Sequence, residues 1–250
     1  MSSFSITETL RVGWDNTRRH VGFLIAILLL VFLLNLVPTL LRQALSGDHA
    51  MLSFLVSLSA LVLQAVTSMG LINISLRILR GLDVRLVHLF DCVHLLLNYL
   101  VGYLLYAGLI LLGLIPCFVV WGLWAAIAGI GAEPPPVWLG IGAVLAFPAV
   151  VLVLKFLFFG YAIVDKGLGA VASLGYSSRI TAGVKWNLFV FGLAVILLNM
   201  AGALAVGVGL LVTVPTTMLA TAQVYRAIEK RYEGSLETAS SPAASPSLTD

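Results

Sequence analysis

His88, Asp91, Cys92 and His94 fall within one seven-residue stretch, and each is a residue type that binds metal ions. On a helix, ~100° per residue spreads them over a broad arc, so at most two or three could converge on one ion. They also occupy the face that any amphipathic helix would hydrate. The pattern reads as a polar side turned to headgroups, and no metal or other cofactor is expected. Lys155 is the second oddity, the one charge inside a long apolar run. An ionisable group in a membrane segment is a functional-site candidate by default. Tyr161, six residues on and about 9 Å along a helix, reads as an interfacial aromatic. A lysine stem can snorkel over much of that distance. Two readings of Lys155 stay open, a snorkelling side chain and the lining of a polar cleft. Catalysis is not expected. The chain has no His-Glu-x-x-His run, no Gly-x-Ser-x-Gly elbow and no Gly-x-x-x-x-Gly-Lys loop. None of its 11 acidic residues falls mid-span, which argues against paired catalytic carboxylates.

Uncharged polar groups inside apolar runs are the remaining candidates. Gln64 is one, and Asn35, Asn98 and Asn199 recur once in the first span of each of three successive units. Such groups face other helices or a wet cleft, because lipid offers them no partner. With Lys155 they outline a polar cleft or lipid contact; separately, they serve as inter-helix glue. Gly207, Gly209, Pro215 and Tyr225 mark a structural motif near the end of the chain. The glycines belong to a tight turn. The carbonyl freed by Pro215 lies among Thr213, Thr216 and Thr217, whose hydroxyls can satisfy it.

The elements that would hold these residues follow from composition. The chain of 250 residues is 60% hydrophobic and 10% charged, against roughly 25% charged in a soluble domain. It is expected to be an all-α integral membrane protein. Cys92 and Cys117 suggest no disulfide framework. A cleavable signal at Ala44-Leu45-Ser46 is disfavoured, because a helical segment precedes the first apolar run and that run is too long. Six spans are predicted, at about 21–41, 50–76, 95–124, 138–164, 186–202 and 206–226, making one membrane domain over 1–232. Residues 233–250, rich in Ser, Ala, Pro and Thr, read as a disordered tail. How residues 116–131 continue the third span is open.

Three amphipathic helices are expected between or before the spans. Ser5-Ile6-Thr7-Glu8 is a capping-box start, followed by Ile6, Leu10, Trp14, Thr17 and Val21 on one face. Leu82, Leu86, Leu89, Phe90, Val93 and Leu97 share a face in the second, over Leu82–Leu97, and Gly167–Val184 forms a weaker third. With six crossings, 12 of the 14 basic residues lie on one side; only Arg42 is across the membrane and Lys155 within it. The positive-inside rule then puts both termini in the cytoplasm. The resulting architecture is three parallel hairpins, each preceded by a cytoplasmic-side amphipathic helix. This differs from the inverted repeats of many transporters.

Asp165-Lys166-Gly167 with Ala172, Ser178, Thr181, Gly183, Trp186 and Phe189, then Gly207-Val208-Gly209 through Pro215 with Ala220, Ala222 and Tyr225, form a recognisable pattern. Leu89-Phe90 and Gly113 to Pro116 extend it upstream. The chain resembles a group of uncharacterised bacterial polytopic membrane proteins, similar to the membrane-spanning domain attached to some glycerophosphodiester phosphodiesterases. Cys117 stands where relatives often have Gly, and the stretch from Pro116 to Asp165 is longer than in compact members. The resemblance implies a multi-pass protein of the bacterial cytoplasmic membrane and transfers no catalytic residue. The expected role is non-enzymatic: a scaffold, accessory or lipid-interacting factor. The alternative is a small transporter or lipid translocator with a polar cleft near Lys155. The expected partners are the bilayer and either another membrane protein or an anionic lipid; no nucleic acid is expected.

Overall fold

The computed structural model describes residues 5–44, 50–129, 135–205 and 209–240. Among these the chain is helical throughout, without strands. Five helical segments are long and apolar enough to cross a membrane: Val21–Gln43, Met51–Leu79, Leu86–Ala128, Gly140–Lys166 and Lys185–Leu204. They belong to α2 (Val21–Ala44), α3 (Ala50–Leu79), α4 (Leu96–Ala128), the broken series α5 (Pro136–Leu145), α6 (Phe147–Phe156) and α7 (Phe159–Lys166), and α9 (Lys185–Leu204). Two further helices are α1 (Ile6–Arg19) and α8 (Ala170–Ile180), and α10 (Leu210–Ser240) closes the chain. The first half of α10 is apolar, but from Arg226 onward it is charged, and it is not one of the five. Its expected start, with Gly207, lies outside the described residues.

Neighbouring helices pair where small residues let them touch. α4 runs unbroken through Pro116 to Ala128, about 50 Å, so residues 116–128 continue the third span. It packs along α5, α6 and α7 in the opposite direction: Trp124 meets Trp138 at 5.2 Å, Gly113 meets Ala149, and Gly102 meets Phe159. A Cβ on Gly113 would lie 2.9 Å from the Ala149 Cα, so only glycine permits this approach. α9 and α10 meet through Gly202, Gly209 and Thr213 in the same way.

The segment 138–164, expected as one helix around Pro148, is broken twice. Pro148 has no N–H to continue the ladder from Leu145, and the helix restarts at Phe147. The second break, at Leu157–Phe158, is held open from α8. The Phe158 N–H donates to Ser177 Oγ at 3.1 Å, while the hydroxyls of Ser177 and Thr181 each donate to the Lys155 carbonyl at 3.1 Å. Two side chains of α8 thus replace the backbone partners that the break removes.

That role explains which face of α8 is buried. Ser173, Ser177 and Thr181 are fully enclosed, whereas Val171 is 72% exposed. The same four-residue spacing recurs in α1, where Thr9, Gly13 and Thr17 are buried against α10 and Trp14 stays 44% exposed. A Cβ on Gly13 would lie 2.6 Å from the Thr216 carbonyl oxygen. Helices that touch this closely need small side chains, and hydroxyls add hydrogen bonds to the fit. The Ser5 cap of α1 is present, accepting the Glu8 N–H at 3.4 Å.

Two sequence expectations are corrected. Leu82–Leu97 is not one amphipathic helix. It contains two 3₁₀ turns, Leu86–Leu89 and Val93–Leu95, after an extended stretch, and α4 begins at Leu96. Tertiary contacts override the helical period: the Leu89 backbone presses onto Gly70, where a side chain would collide, and Asn73 Nδ2 donates to the His88 carbonyl at 2.9 Å. Leu89 alone of the expected apolar face is buried; Leu82, Leu86, Phe90, Val93 and Leu97 are exposed. The second correction is the tail. Residues 233–240, expected as disordered, continue α10, and Glu233 pairs with Lys166 at 3.0 Å. Residues 241–250 lie outside the described residues.

Ser177→Ala should lower the unfolding free energy of the detergent-solubilised protein by about 1–3 kcal/mol, the cost of leaving a buried N–H unpaired. Ser178→Ala, one residue on, should leave it unchanged. Denaturant or thermal unfolding checks the difference.

Candidate functional site

The most densely connected polar site lies where α3, α7, α8 and α10 end or pass together. Tyr225 of α10 is at its centre. Its ring is fully buried and stacks on Tyr161 at 5.2 Å, with Phe158 at 5.7 Å from both. Aromatic pairs of this kind contribute about 0.5–1.5 kcal/mol each beyond burial. Around the rings lies an ionic shell. Arg80, at the end of α3, pairs with Asp165 of α7, whose side chain is only 5% exposed. The Tyr225 hydroxyl donates to Asp165 Oδ2 and to Glu229 Oε1, both at 3.4 Å. Lys166 Nζ reaches Glu229 at 2.8 Å and lies 5.2 Å over the Tyr176 ring. The Tyr176 hydroxyl also donates to Glu229 Oε1. Burial, and then the charge of Glu229, raise the Tyr176 phenol above its ordinary value, so it stays a donor. Arg226 Nη1 closes the α3 C-terminus by donating to the Leu79 carbonyl at 2.6 Å.

Chemically, this site is a clamp. Its acids are paired with bases or phenols. It binds the charged extension of α10 to the ends of α3 and α7. Arg80, Lys166 and Arg226 thus meet at this junction.

The predicted cleft residues do not converge. Lys155 ends α6 with its ammonium 5.2 Å over the ring of Phe156, and its carbonyl is the acceptor for α8. Asn35 Nδ2 bonds the Val31 carbonyl of its own helix at 2.8 Å. Asn98 lies half-buried in the first turn of α4. Asn199 donates to Thr217 Oγ1 at 3.4 Å across the α9–α10 contact, while its Oδ1 is buried without a protein partner. Pro215 is inside α10, Gly209 touches Gly202, and Gly207 is outside the described residues. His88 and His94 use Nδ1 within their own loop, on the Arg85 N–H and the Asp91 carbonyl, and Cys92 is buried.

Gln64 opens onto two cavities. One stripe of α3, Ser57, Leu61, Gln64, Ser68 and Ile72, lines three cavities in succession. The first, about 230 Å³, adds Thr39 and Arg42 of α2. The second, about 90 Å³, adds Tyr99 and Tyr103 of α4. The third, about 390 Å³, lies between α2, α3, α7 and α10 and adds Tyr161, Thr217 and Thr221.

Sequence reasoning missed Arg80, Lys166, Tyr176 and Glu229 as site residues, and took Asp165 only as part of a pattern. The available signal was charge placement. Asp165-Lys166 ends an apolar run, and Arg226, Glu229 and Glu233 recur at helical spacing just after another.

The chain matches the model of a domain of unknown function (DUF7847) over residues 4–246, and it belongs to that family. No curated protein and no solved structure matches it.

Asp165→Leu should destabilise the protein by about 1–3 kcal/mol, since it strands Arg80 and removes a Tyr225 acceptor while Arg80 keeps partial solvent access. Tyr225→Phe, which keeps the stack and loses two long hydrogen bonds, should cost under about 1 kcal/mol. Thermal unfolding of both variants in one detergent ranks them.

Proposed function

We propose that this member of the family is a non-enzymatic, six-span protein of the bacterial cytoplasmic membrane, acting as a scaffold, accessory or lipid-interacting factor. The single observation that carries this reading is the charged end. There the small stripes of α1 and α8 pack inward, and large side chains are left outward: Trp14, Val171 and Trp186 are 44%, 72% and 73% exposed. Arg11, Arg18, Arg19 and Lys230 accompany them in sequence. Such a surface suits anionic headgroups on one side and a partner protein on the other.

The sixth crossing is α10 from Leu210 to Tyr225, about 24 Å by itself and longer with the turn before it. With it, α2–α3, α4–α7 and α9–α10 become three parallel hairpins. α1, the loop before α4, and α8 are then their cytoplasmic-side leaders, lying at the membrane surface. By the positive-inside rule, the basic residues assigned to that side support a cytoplasmic position for both termini. The resemblance to the membrane-spanning domain of some glycerophosphodiester phosphodiesterases fits a role beside a separate soluble activity. A second reading, lipid translocation, is favoured by the run of cavities along α3. Its centre is then Gln64 and not Lys155.

An impermeant thiol reagent should reach a cysteine at Pro135 in intact cells and reach cysteines at Ser3 and Gly234 only after lysis, each in a background lacking Cys92 and Cys117. Reaction at Pro135 only after lysis would invert the arrangement. Purification from crosslinked membranes should yield one stoichiometric partner, reduced at least severalfold by Trp14→Ser. Lipid scrambling in liposomes that Gln64→Leu abolishes would support translocation instead.

A further inference from the structure

We propose that the cavity between α2 and α3 around Arg42 is a binding site for an anionic phospholipid. The phosphodiester would lie on Arg42, Thr39 and Ser57, the glycerol esters would accept from Gln64, and an acyl chain would follow α3. The inference adds a ligand site to the membrane role above and does not depend on a partner at the charged end.

Three observations carry it. First, Arg42 is at the far end of α2 from the charged end, and it is the one basic residue the sequence assigns to that side. It shares a cavity of about 230 Å³ with the Thr39 and Ser57 hydroxyls. A guanidinium is the chemistry that holds a phosphodiester; the Thr39 and Ser57 hydroxyls beside it donate to the Asn35 and Ser53 carbonyls at 2.9 and 2.8 Å and would turn to the phosphate on binding. Second, Gln64 is exposed on the same stripe, seven residues and about 10 Å deeper than Ser57. A primary amide facing hydrocarbon is costly unless an acceptor meets it. Lipid esters lie just below the phosphate along the membrane normal, and so supply that acceptor at that depth. Third, Leu61 and Gln64 also line a space of about 90 Å³ with Ala65 and Leu100, where Ser68, Tyr99 and Tyr103 add polar groups, and the exposed Leu58 and Leu61 of α3 offer apolar surface to a chain. Pro38 of α2 also lines the first cavity.

The test uses the full-length protein, purified in a neutral detergent and stripped of lipid. Phosphatidylglycerol, phosphatidylcholine and inorganic phosphate are titrated separately, with bound species read by native mass spectrometry. Phosphatidylglycerol should bind with at least about tenfold preference over phosphatidylcholine, one charge-assisted bond's worth. Arg42→Gln should erase that preference. Gln64→Leu, a substitution that hydrocarbon tolerates, should weaken both lipids by about threefold to tenfold through the lost ester contact. Ser178→Ala, at the opposite end, should change neither. Equal binding of the two lipids by the unaltered protein, or a preference that survives Arg42→Gln, overturns the proposal. Displacement of phosphatidylglycerol by millimolar inorganic phosphate would assign the site to free phosphate and overturn the lipid assignment. Each variant must elute as the parent does; if Arg42→Gln does not, Arg42→Lys and Gln64→Leu decide, with Arg42→Lys expected to keep part of the preference.

Discussion

Hydrocarbon offers no water to a backbone amide, and the protein's form follows from how it meets that constraint at one break. Between Leu157 and Phe158 a long apolar segment loses its helical ladder, and α8 lies close enough for Ser177 and Thr181 to supply the missing partners. This requires side chains short enough for two backbones to approach and polar enough to bond what they touch. With α8 fixed there, Tyr176 faces Glu229 and the charged half of α10 is drawn back over the ends of α3 and α7. The aromatic stack of Phe158, Tyr161 and Tyr225 and the Arg80–Asp165 pair complete the same junction.

The rule recurs where nothing is broken. α1 meets α10 along Thr9, Gly13 and Thr17, and the Thr17 hydroxyl lies 3.4 Å from that of Thr216. In both short helices the small and hydroxyl residues pack inward together with Ile6 and Leu10 of α1 and Leu174 and Ile180 of α8, while Trp14 and Val171 stay exposed. One end of the bundle is an assembled and paired junction, while the opposite half of α3 is lined along its cavities by Ser57, Gln64 and Ser68.

Much of this was legible in the residues. Apolar length located the five long segments, and Ser5 marked the start of α1. Pro116 proved compatible with a continuous α4, because a proline removes one donor in a helix otherwise supported by α6. The orientation of the short helices was less legible. Periodicity ranks faces by hydrophobicity; it grouped Ile6, Leu10, Trp14, Thr17 and Val21, of which Ile6, Leu10 and Thr17 pack inward and Trp14 and Val21 are exposed, and it passed over Thr9 and Gly13. Leu82–Leu97 shows the second kind of loss: its period is helical, yet Gly70 and Asn73, a turn apart on α3, pin it as 3₁₀ turns. Nothing local to 82–97 encodes those partners. Of the cleft candidates, Asn35 bonds within its own helix and the Lys155 ammonium lies over the Phe156 ring.

The contact between α1 and α10 tests the account most directly, because it is the plainest case of a small polar stripe chosen over an apolar face. Cysteines replacing Thr17 and Thr216, in a chain without Cys92 and Cys117, should form a disulfide rapidly in native membranes under mild oxidation. Trp14→Cys with Thr216→Cys should not. Efficient crosslinking through Trp14 with none through Thr17 would mean that the bulky face packs inward, and would contradict the account.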